Sequence, residues 1–480
     1  MAIDLGTSAA KVIVFSLDGR IVAITESDTP IQHPQPTWMQ SHADTWWQIV
    51  CSGIRSILEH PEVEASAIRA IGICGFMHTV VPIDGTDCVL GASLLWPDQR
   101  SVLEAAELAK YTETFIQITG NPPTTMSCVP RLRWLAKHEP DTLKRAKWLL
   151  PPKDFLRFRL TGEIATDERD AKGTGLTNLL TKEWSVELLE LAGVSLINMP
   201  PIRSYQEIAG TVTSVAAAET GLQQGTPVII GSADWFSTII GSGCYLPERA
   251  CLYLGTGGIC GAFTSAKEQA RLGKTVYFGG VTATGAALRW IRQLFNTGQE
   301  KTTYQAITQE AAMSEPGAKG VFFLPHLMGE CGNAVRPAAR GTFYGLTLAH
   351  QRSDIYRAVI EGATLWLRMA TETSIKQQAI GEFLLLGGGT HSLLWRQIVA
   401  AVYNCNVLIP EIVHGGAFGM AMIAAVSTKL RSDYLSLTQE WIRIAHIEQP
   451  KPELVENYDA IYRKYKAVEA ILQQLEELRV

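Results

Sequence analysis

An acid, a glycine, two hydroxyls and a lysine open the chain as Asp4-x-Gly6-Thr7-Ser8-x-x-Lys11. Glycine lets backbone N–H groups approach an anion, and Thr7 and Ser8 add hydroxyl donors. Lys11 adds positive charge, and Asp4 suits a Mg²⁺ ion held through water, so phosphate with its cation is the natural ligand. A plain hairpin turn with locally satisfied polar groups is the competing reading. A similar loop, Leu254-Gly255-Thr256-Gly257-Gly258, follows in the second half, with Tyr253 in the place of the acid. It could cradle phosphate without holding the cation. Gly387-Gly388-Gly389, with Ser392 just beyond, lies between an apolar run and a helical pattern. There a flat ring can lie on the backbone or a phosphate can reach a helix start.

Asp234 follows the apolar run Thr226–Gly231 and precedes a helical stretch. A carboxylate at the carboxyl end of a strand can take a proton from a substrate hydroxyl, although Asp is also a common helix cap. Met77-His78 follow the strand-like Ile71–Gly75, where an imidazole can hydrogen-bond a polyol. Trp96-Pro97-Asp98-Gln99-Arg100 offers an aromatic wall and a carboxylate for a sugar, or a turn with a local Asp–Arg pair. No Walker A loop, H-E-x-x-H, G-x-S-x-G or strand-following G-x-G-x-x-G occurs, which lowers the P-loop, metalloprotease, hydrolase and dinucleotide-enzyme readings.

The elements that must carry these residues alternate between strand and helix, which predicts an α/β chain. Asp18-Gly19 joins two β-rich runs as a hairpin, and residues 251–263 form another. Ser41-x-x-Asp44 reads as a capping-box-like start. The following face carries Trp46, Trp47, Val50, Ile54, Ile57 and Leu58. A last helix over residues 456–475 shows Tyr458, Ile461, Tyr462, Tyr465, Val468, Leu472 and Leu475 at three- and four-residue steps. The strand–Gly-Thr–strand unit recurs about half a chain later, predicting two related domains.

The whole chain has 480 residues, 46% hydrophobic and 19% charged, with a formal net charge of -5. That excludes a disordered chain and argues against an electrostatic nucleic-acid binder. The 9 cysteines are scattered and form no C-x-x-C pair, which fits free thiols in a reducing compartment. The apolar run Gly419–Val426 is far short of the ~20 residues of a membrane span. A cytoplasmic protein is expected.

Taken together and in order, these motifs resemble the FGGY carbohydrate kinases of the actin/hexokinase/Hsp70 ATPase superfamily. Further similarity lies in Trp38-x-Gln40, Pro152-Lys153-Asp154, Thr166-Asp167, Asp170-Ala171-x-Gly173-Thr174, Arg357-Ala358-x-x-Glu361-Gly362 and Gly416-Ala417-x-Gly419. The resemblance is strongest to the xylulose kinase branch, through Gly75-x-Met77-His78 and Trp96-x-Asp98-x-Arg100. It implies two ribonuclease H-like domains with an inter-domain cleft: residues 1–242 for sugar, first phosphate loop and catalytic Asp, and 243–480 for ATP. It implies MgATP-dependent phosphorylation of a small carbohydrate hydroxyl, with a ketopentose such as xylulose the leading substrate.

In that scheme Asp234 is the catalytic base. Met77, His78, Trp96, Asp98, Asp234 and Trp235 line the sugar. Gly6, Thr7, Ser8, Lys11, Gly255, Thr256, Gly257, Gly387, Gly388, Gly389 and Ser392 hold ATP, and Asp4 orients Mg²⁺. The implied partners are carbohydrate and ATP, without nucleic acid or membrane, and a homodimer is left open.

Phe76, Thr79 and Trp235 depart from the branch's usual Gln, Gly and Asn, which puts the sugar in question. Cys331-Gly332-Asn333 and Ala401 depart in the second half. Met77-His78-Thr79 and Thr174-Gly175-Leu176-x-Asn178 also resemble gluconate kinases, so a sugar-acid or polyol kinase is the alternative. A nucleotide-binding regulator without catalysis is the reading from another class, and an Hsp70-like ATPase lacks its peptide-binding domain.

Overall fold

The computed structural model describes residues 1–244, 246, 248–263, 275–295, 302–327, 329–331, 335–336, 339–377 and 379–477. Gly332 and Asn333 lie outside them. In chain order the elements that matter here begin with β1 (Ala2–Leu5), β2 (Ala9–Phe15), β3 (Ile21–Asp28), α1 (Ala43–Leu58) and β4 (Gly72–Gly75). Next come α2 (Cys128–His138), α3 (Pro152–Thr161), α4 (Glu168–Gly173), β5 (Ser232–Ala233) and α5 (Asp234–Gly241). The second half supplies β6 (Arg249–Leu254), β7 (Gly258–Phe263), β8 (Thr275–Val281), α6 (Gly285–Phe295), α7 (Arg352–Gln377), β9 (Glu382–Leu386), α8 (Leu393–Tyr403) and β10 (Asn406–Pro410). The chain ends with α9 (Gly415–Ser427), α10 (Tyr434–Trp441), β11 (Ile444–Glu448) and α11 (Pro452–Glu477).

Two compact units result: Met1–Gly241 with Gly415–Trp441, and Ser242–His414 with Ile442–Val480. The contiguous division expected at 242/243 therefore differs from the structure at α9 and α10. The reason is packing. Gly241 of α5 meets Gly415 and Gly419 of α9 backbone to backbone, an approach only hydrogen side chains permit. Helix α9 is buried along its length, so it cannot serve as a surface element.

In the first unit the sheet runs β5-β4-β1-β2-β3, with β1–β2–β3 antiparallel and β4 and β5 parallel to β1. In the second it runs β8-β7-β6-β9-β10-β11, again three antiparallel strands followed by parallel neighbours. The strand order 3-2-1-4-5 thus occurs twice, and the antiparallel β11 adds an edge to the second sheet.

Helix α1 covers the first sheet with Trp46, Trp47, Val50, Ile54 and Ile57 buried, the stripe read from its period. Burying each such aliphatic side chain stabilises by roughly 1.5–3 kcal/mol. Its start differs from the expected capping box. His42 is the N-cap and makes no side-chain cap bond, because the Ser41 hydroxyl donates to Pro30 O at 2.8 Å. Helix α11 buries Tyr458, Tyr462 and Tyr465 in the second core. Among the described residues, no helix is long and apolar enough to cross a membrane.

Candidate active site

The register of the first sheet brings the two key carboxylates to one place. Asp4 on β1 pairs with Cys74 on β4, and Ser232 on β5 pairs with Cys74 from the other side. Asp234 begins α5 directly after β5. The buried Cys74 thiol lies beside both carboxylates, and burial together with their negative charge holds it well above the usual thiol range. Burial raises the Asp234 pKa to about 7, and the negative charge of Asp4 adds to the rise, while the Trp235 amide opposes it. Burial raises Asp4 as well, against the pull of Lys11 and of Cys74. A carboxylate held near 7 can accept a proton from a hydroxyl and give it up again. Gly416, in the first turn of α9, approaches Asp4 so closely that a Cβ would stand 2.8 Å from Oδ2. The positive end of that helix favours a carboxylate there.

The first glycine-threonine loop is a tight turn. Gly6 N donates to Ala9 O at 2.9 Å, and a Cβ on Gly6 would meet that oxygen at 2.8 Å. Thr29 anchors the loop by donating to Thr7 O at 2.7 Å. The Trp96 indole N–H donates to Thr7 Oγ1 at 3.0 Å. With that oxygen already accepting, the Thr7 hydroxyl proton is directed elsewhere as a donor. Ser8 is exposed. Lys11 sits on β2 opposite Asp4 and Glu26, with its Nζ 3.4 Å from Glu26. Its charge is shared with that carboxylate.

Met77 and His78 are set by α4. His78 has a left-handed backbone, φ 62°, and its Nδ1 lies 2.5 Å from Gly173 O. Burial lowers its pKa to about 4, so the ring is neutral near pH 7. A carbonyl can only accept, so Nδ1 carries the proton and Nε2 presents a lone pair. A Cβ on Gly173 would meet Met77 Cε at 2.6 Å, so a larger residue there would push aside the end of the Met77 side chain.

Asp98, read as a sugar ligand or as half of a local Asp–Arg pair, makes that pair. It is 0% exposed, and its carboxylate accepts from Arg100 Nε at 2.9 and 3.0 Å, Arg100 N at 2.9 Å and Met39 N at 2.6 Å. Arg100 in turn lies 4.0 Å from the Trp38 ring centroid. The local-pair reading of this motif is the one the geometry carries, and the pair holds the Trp96 loop in place. Phe76 is 3% exposed and packs edge-on against Trp46, 5.5 Å between centroids. Thr79 and Trp235 are different. Each holds a buried polar atom, Oγ1 and Nε1, with no hydrogen-bond partner among the described residues.

A charged cluster behind this site carried no role in the sequence. Lys153 Nζ lies 2.7 Å from Asp154, 3.2 Å from Asp167 and 3.2 Å from Asp170, all buried. Ser232 donates to Asp167 at 2.8 Å, which ties β5 to the start of α4. Burial pushes Asp170 well above the usual carboxylate range, and the other two carboxylates add to that. A protonated Asp170 leaves Lys153 and Arg157 balanced by Asp154 and Asp167. The separate segments 152–154, 166–167 and 170 gave only family likeness, with no spacing that foretold their convergence.

In the second unit, the Gly255-Thr256-Gly257 loop seats the start of α6. Gly255 O accepts from Thr284 Oγ1 and Gly285 N, both at 2.8 Å, and Thr256 O accepts from Ala286 N at 3.0 Å. Arg289, which the sequence reading missed, reaches Thr256 Oγ1 at 3.5 Å. The glycine run meets the same loop: Gly387 has φ 85°, and a Cβ there would stand 2.5 Å from Leu254 O. Gly389 packs on the Leu254 side chain, and Gly388 has open space around its Cβ position. Ser392 caps α8, accepting from Trp395 N at 3.2 Å, so its oxygen has a structural duty.

Two carboxylates beside a glycine-threonine loop, and a second such loop against a glycine run, are what phosphoryl transfer to a hydroxyl needs. Family models agree with that chemistry. The N-terminal domain model of the FGGY family of carbohydrate kinases matches residues 1–241, and its C-terminal domain model matches residues 242–428. The chain belongs to the FGGY family of carbohydrate kinases. Among similar family members, the xylulose kinase of Escherichia coli (strain K12) is 30% identical over 490 residues, covering 99% of each chain. The crystal structure of xylulose kinase from Rhodospirillum rubrum superposes with a TM-score of 0.87 at 28% identity, covering 99% of both chains. The gluconate kinase structure from Lactobacillus acidophilus gives 0.87 at 24% identity over 98% of this chain and 97% of its own, a likeness of fold.

Proposed function

We propose that this carbohydrate kinase transfers the γ-phosphoryl group of ATP to a hydroxyl of a ketopentose, with xylulose the leading candidate, in the cytoplasm. The observation that carries the reading is Asp234, a carboxyl held near pKa 7 beside Asp4 and at the position the family gives its base. In this reading Asp234 takes the proton of the attacking hydroxyl, and His78 Nε2 accepts from another hydroxyl of the sugar. Met77 and Trp235 form walls. The Thr7 hydroxyl and the amides of Thr256 and Gly257 donate to phosphate oxygens, the Gly6 and Gly255 amides being engaged within their own loops. Gly387–Gly389 give the nucleotide a surface without side chains.

Asp4 fits the donor chemistry of Mg²⁺: one carboxylate, with phosphate and water supplying the remaining oxygens. Bound there, the ion would neutralise phosphate charge. Asp4 would orient it, and the charge of the ion would offset that of Asp4 and so ease deprotonation of Asp234. A sugar acid is the second reading. Trp235 Nε1 and Thr79 Oγ1 are buried donors with no partner among the described residues, and a carboxylate offers several acceptor lone pairs.

The test is ADP release by the purified protein with MgATP and a panel of pentuloses, polyols and aldonates. Sugar-dependent release with xylulose supports the first reading, and a higher kcat/KM for gluconate supports the second. Release with no member of the panel sinks both and favours a regulator.

A further inference from the structure

The sugar end of the site is held by a group that no motif singled out. Arg131, on α2, is 2% exposed. Its Nη1 donates to Trp96 O at 3.2 Å and to Thr125 O, and its Nη2 donates to Met126 O at 3.2 Å and to His78 O. Among the described residues no carboxylate lies within ion-pair distance of it. The buried cation is offset by carbonyl dipoles, from three separate stretches of chain. A planar fork of N–H donors can serve such divergent acceptors, and a lysine ammonium cannot.

Two of these stretches carry the candidate sugar residues. His78 is held at both ends: its ring by Gly173 O and its own carbonyl by Arg131. Its left-handed backbone, φ 62°, is uncommon for a residue other than glycine, and the contacts at both ends hold it there. Trp96 is held at both ends too, its indole on Thr7 and its carbonyl on Arg131. We infer that Arg131 is a positioning residue that fixes His78 and Trp96 together, and so sets the affinity for the sugar without touching it. This rests on the sugar-kinase reading above.

The experiment begins with the unmodified protein, whose sugar-dependent ADP release tests that reading by itself. If it phosphorylates a sugar, Arg131→Lys and Arg131→Ala are compared with it. The sugar KM should rise about 10- to 100-fold, the range expected when buried polar contacts to the sugar are lost. The KM for ATP and ATP binding measured by calorimetry should not change. Free guanidinium at non-denaturing concentration should lower the sugar KM of Arg131→Ala and leave Arg131→Lys unaffected. Folded variants whose sugar KM is unchanged, or whose two KM values rise alike, would overturn the inference. If neither variant folds, hydrogen exchange of the unmodified protein decides. Sugar should slow exchange in residues 76–79, 95–100 and 124–131 as one set, and a response confined to the first two segments would overturn it.

Discussion

Asp234→Asn separates the base from its burial cost in a single experiment. The carboxyl titrates near 7 in the fold against a usual 3.8, so folding favours its protonated form. Between those two values the folded state keeps a proton that the unfolded chain has lost, so stability falls as pH rises from about 4 to about 7. Below that window the favourable contribution is complete, and above it the contribution is gone. The shift corresponds to a ceiling of ~4 kcal/mol. The side chain retains some solvent contact, which brings the expectation to ~2 kcal/mol.

Asparagine keeps the shape and cannot ionise. At pH 8 the variant should therefore melt about 4–8 °C above the unmodified protein, for a unit of this size. At pH 4 the gap should close. The same variant should lose about 10²- to 10⁴-fold in kcat. The assay is thermal unfolding followed by circular dichroism in steps from pH 4 to pH 8, beside steady-state kinetics. Melting curves that stay parallel at every pH would refute the buried, proton-holding carboxyl, and an unaltered kcat would refute the base.

Other changes probe the supports of the site. Asp98→Ala leaves Arg100 buried without its partner and should destabilise by ~3–5 kcal/mol in denaturant titration; a raised sugar KM at unchanged stability would mean that Asp98 binds sugar after all. Trp96→Phe keeps the ring and removes the bond to Thr7, worth ~1 kcal/mol, so kcat should fall about fivefold; an unchanged kcat would show that Thr7 needs no such help. Gly416→Ala puts a methyl against Asp4 Oδ2 and should raise the Mg²⁺ concentration needed for half-maximal rate, which a Mg²⁺ titration reads directly. Gly387→Ala meets both a left-handed backbone and Leu254 O, so the KM for ATP should rise while that for sugar holds.

What the chain discloses in advance depends on how far apart the interacting residues lie. The Asp18-Gly19 hairpin, the apolar stripe of α1 and the repeated strand–Gly-Thr–strand unit are local patterns, and each survives in the fold. Ser41 misled because its hydroxyl had a partner, Pro30 O, across a turn that no capping rule weighs. Phe76 was legible as a departure from the family, but its contact with Trp46 arises only once α1 packs on the sheet. Arg131 and Lys153 escaped for the same reason. Each draws its partners from several separate segments, and neither has a spacing signature. Asp98 stood open between two readings because its neighbour Arg100 is local, while the burial that surrounds the pair is not.

The return of residues 415–441 to the first unit bears on how the protein is made. Synthesis runs from the N-terminal side to the C-terminal side, yet the first unit lacks α9, the helix under Asp4 and α5, until residue 441 has emerged. During that interval Gly241 and the Asp4 end of the sheet stand uncovered, a state prone to aggregation. A gene fragment cut where the N-terminal family model stops, at residue 241, should behave as a permanent version of that unfinished intermediate.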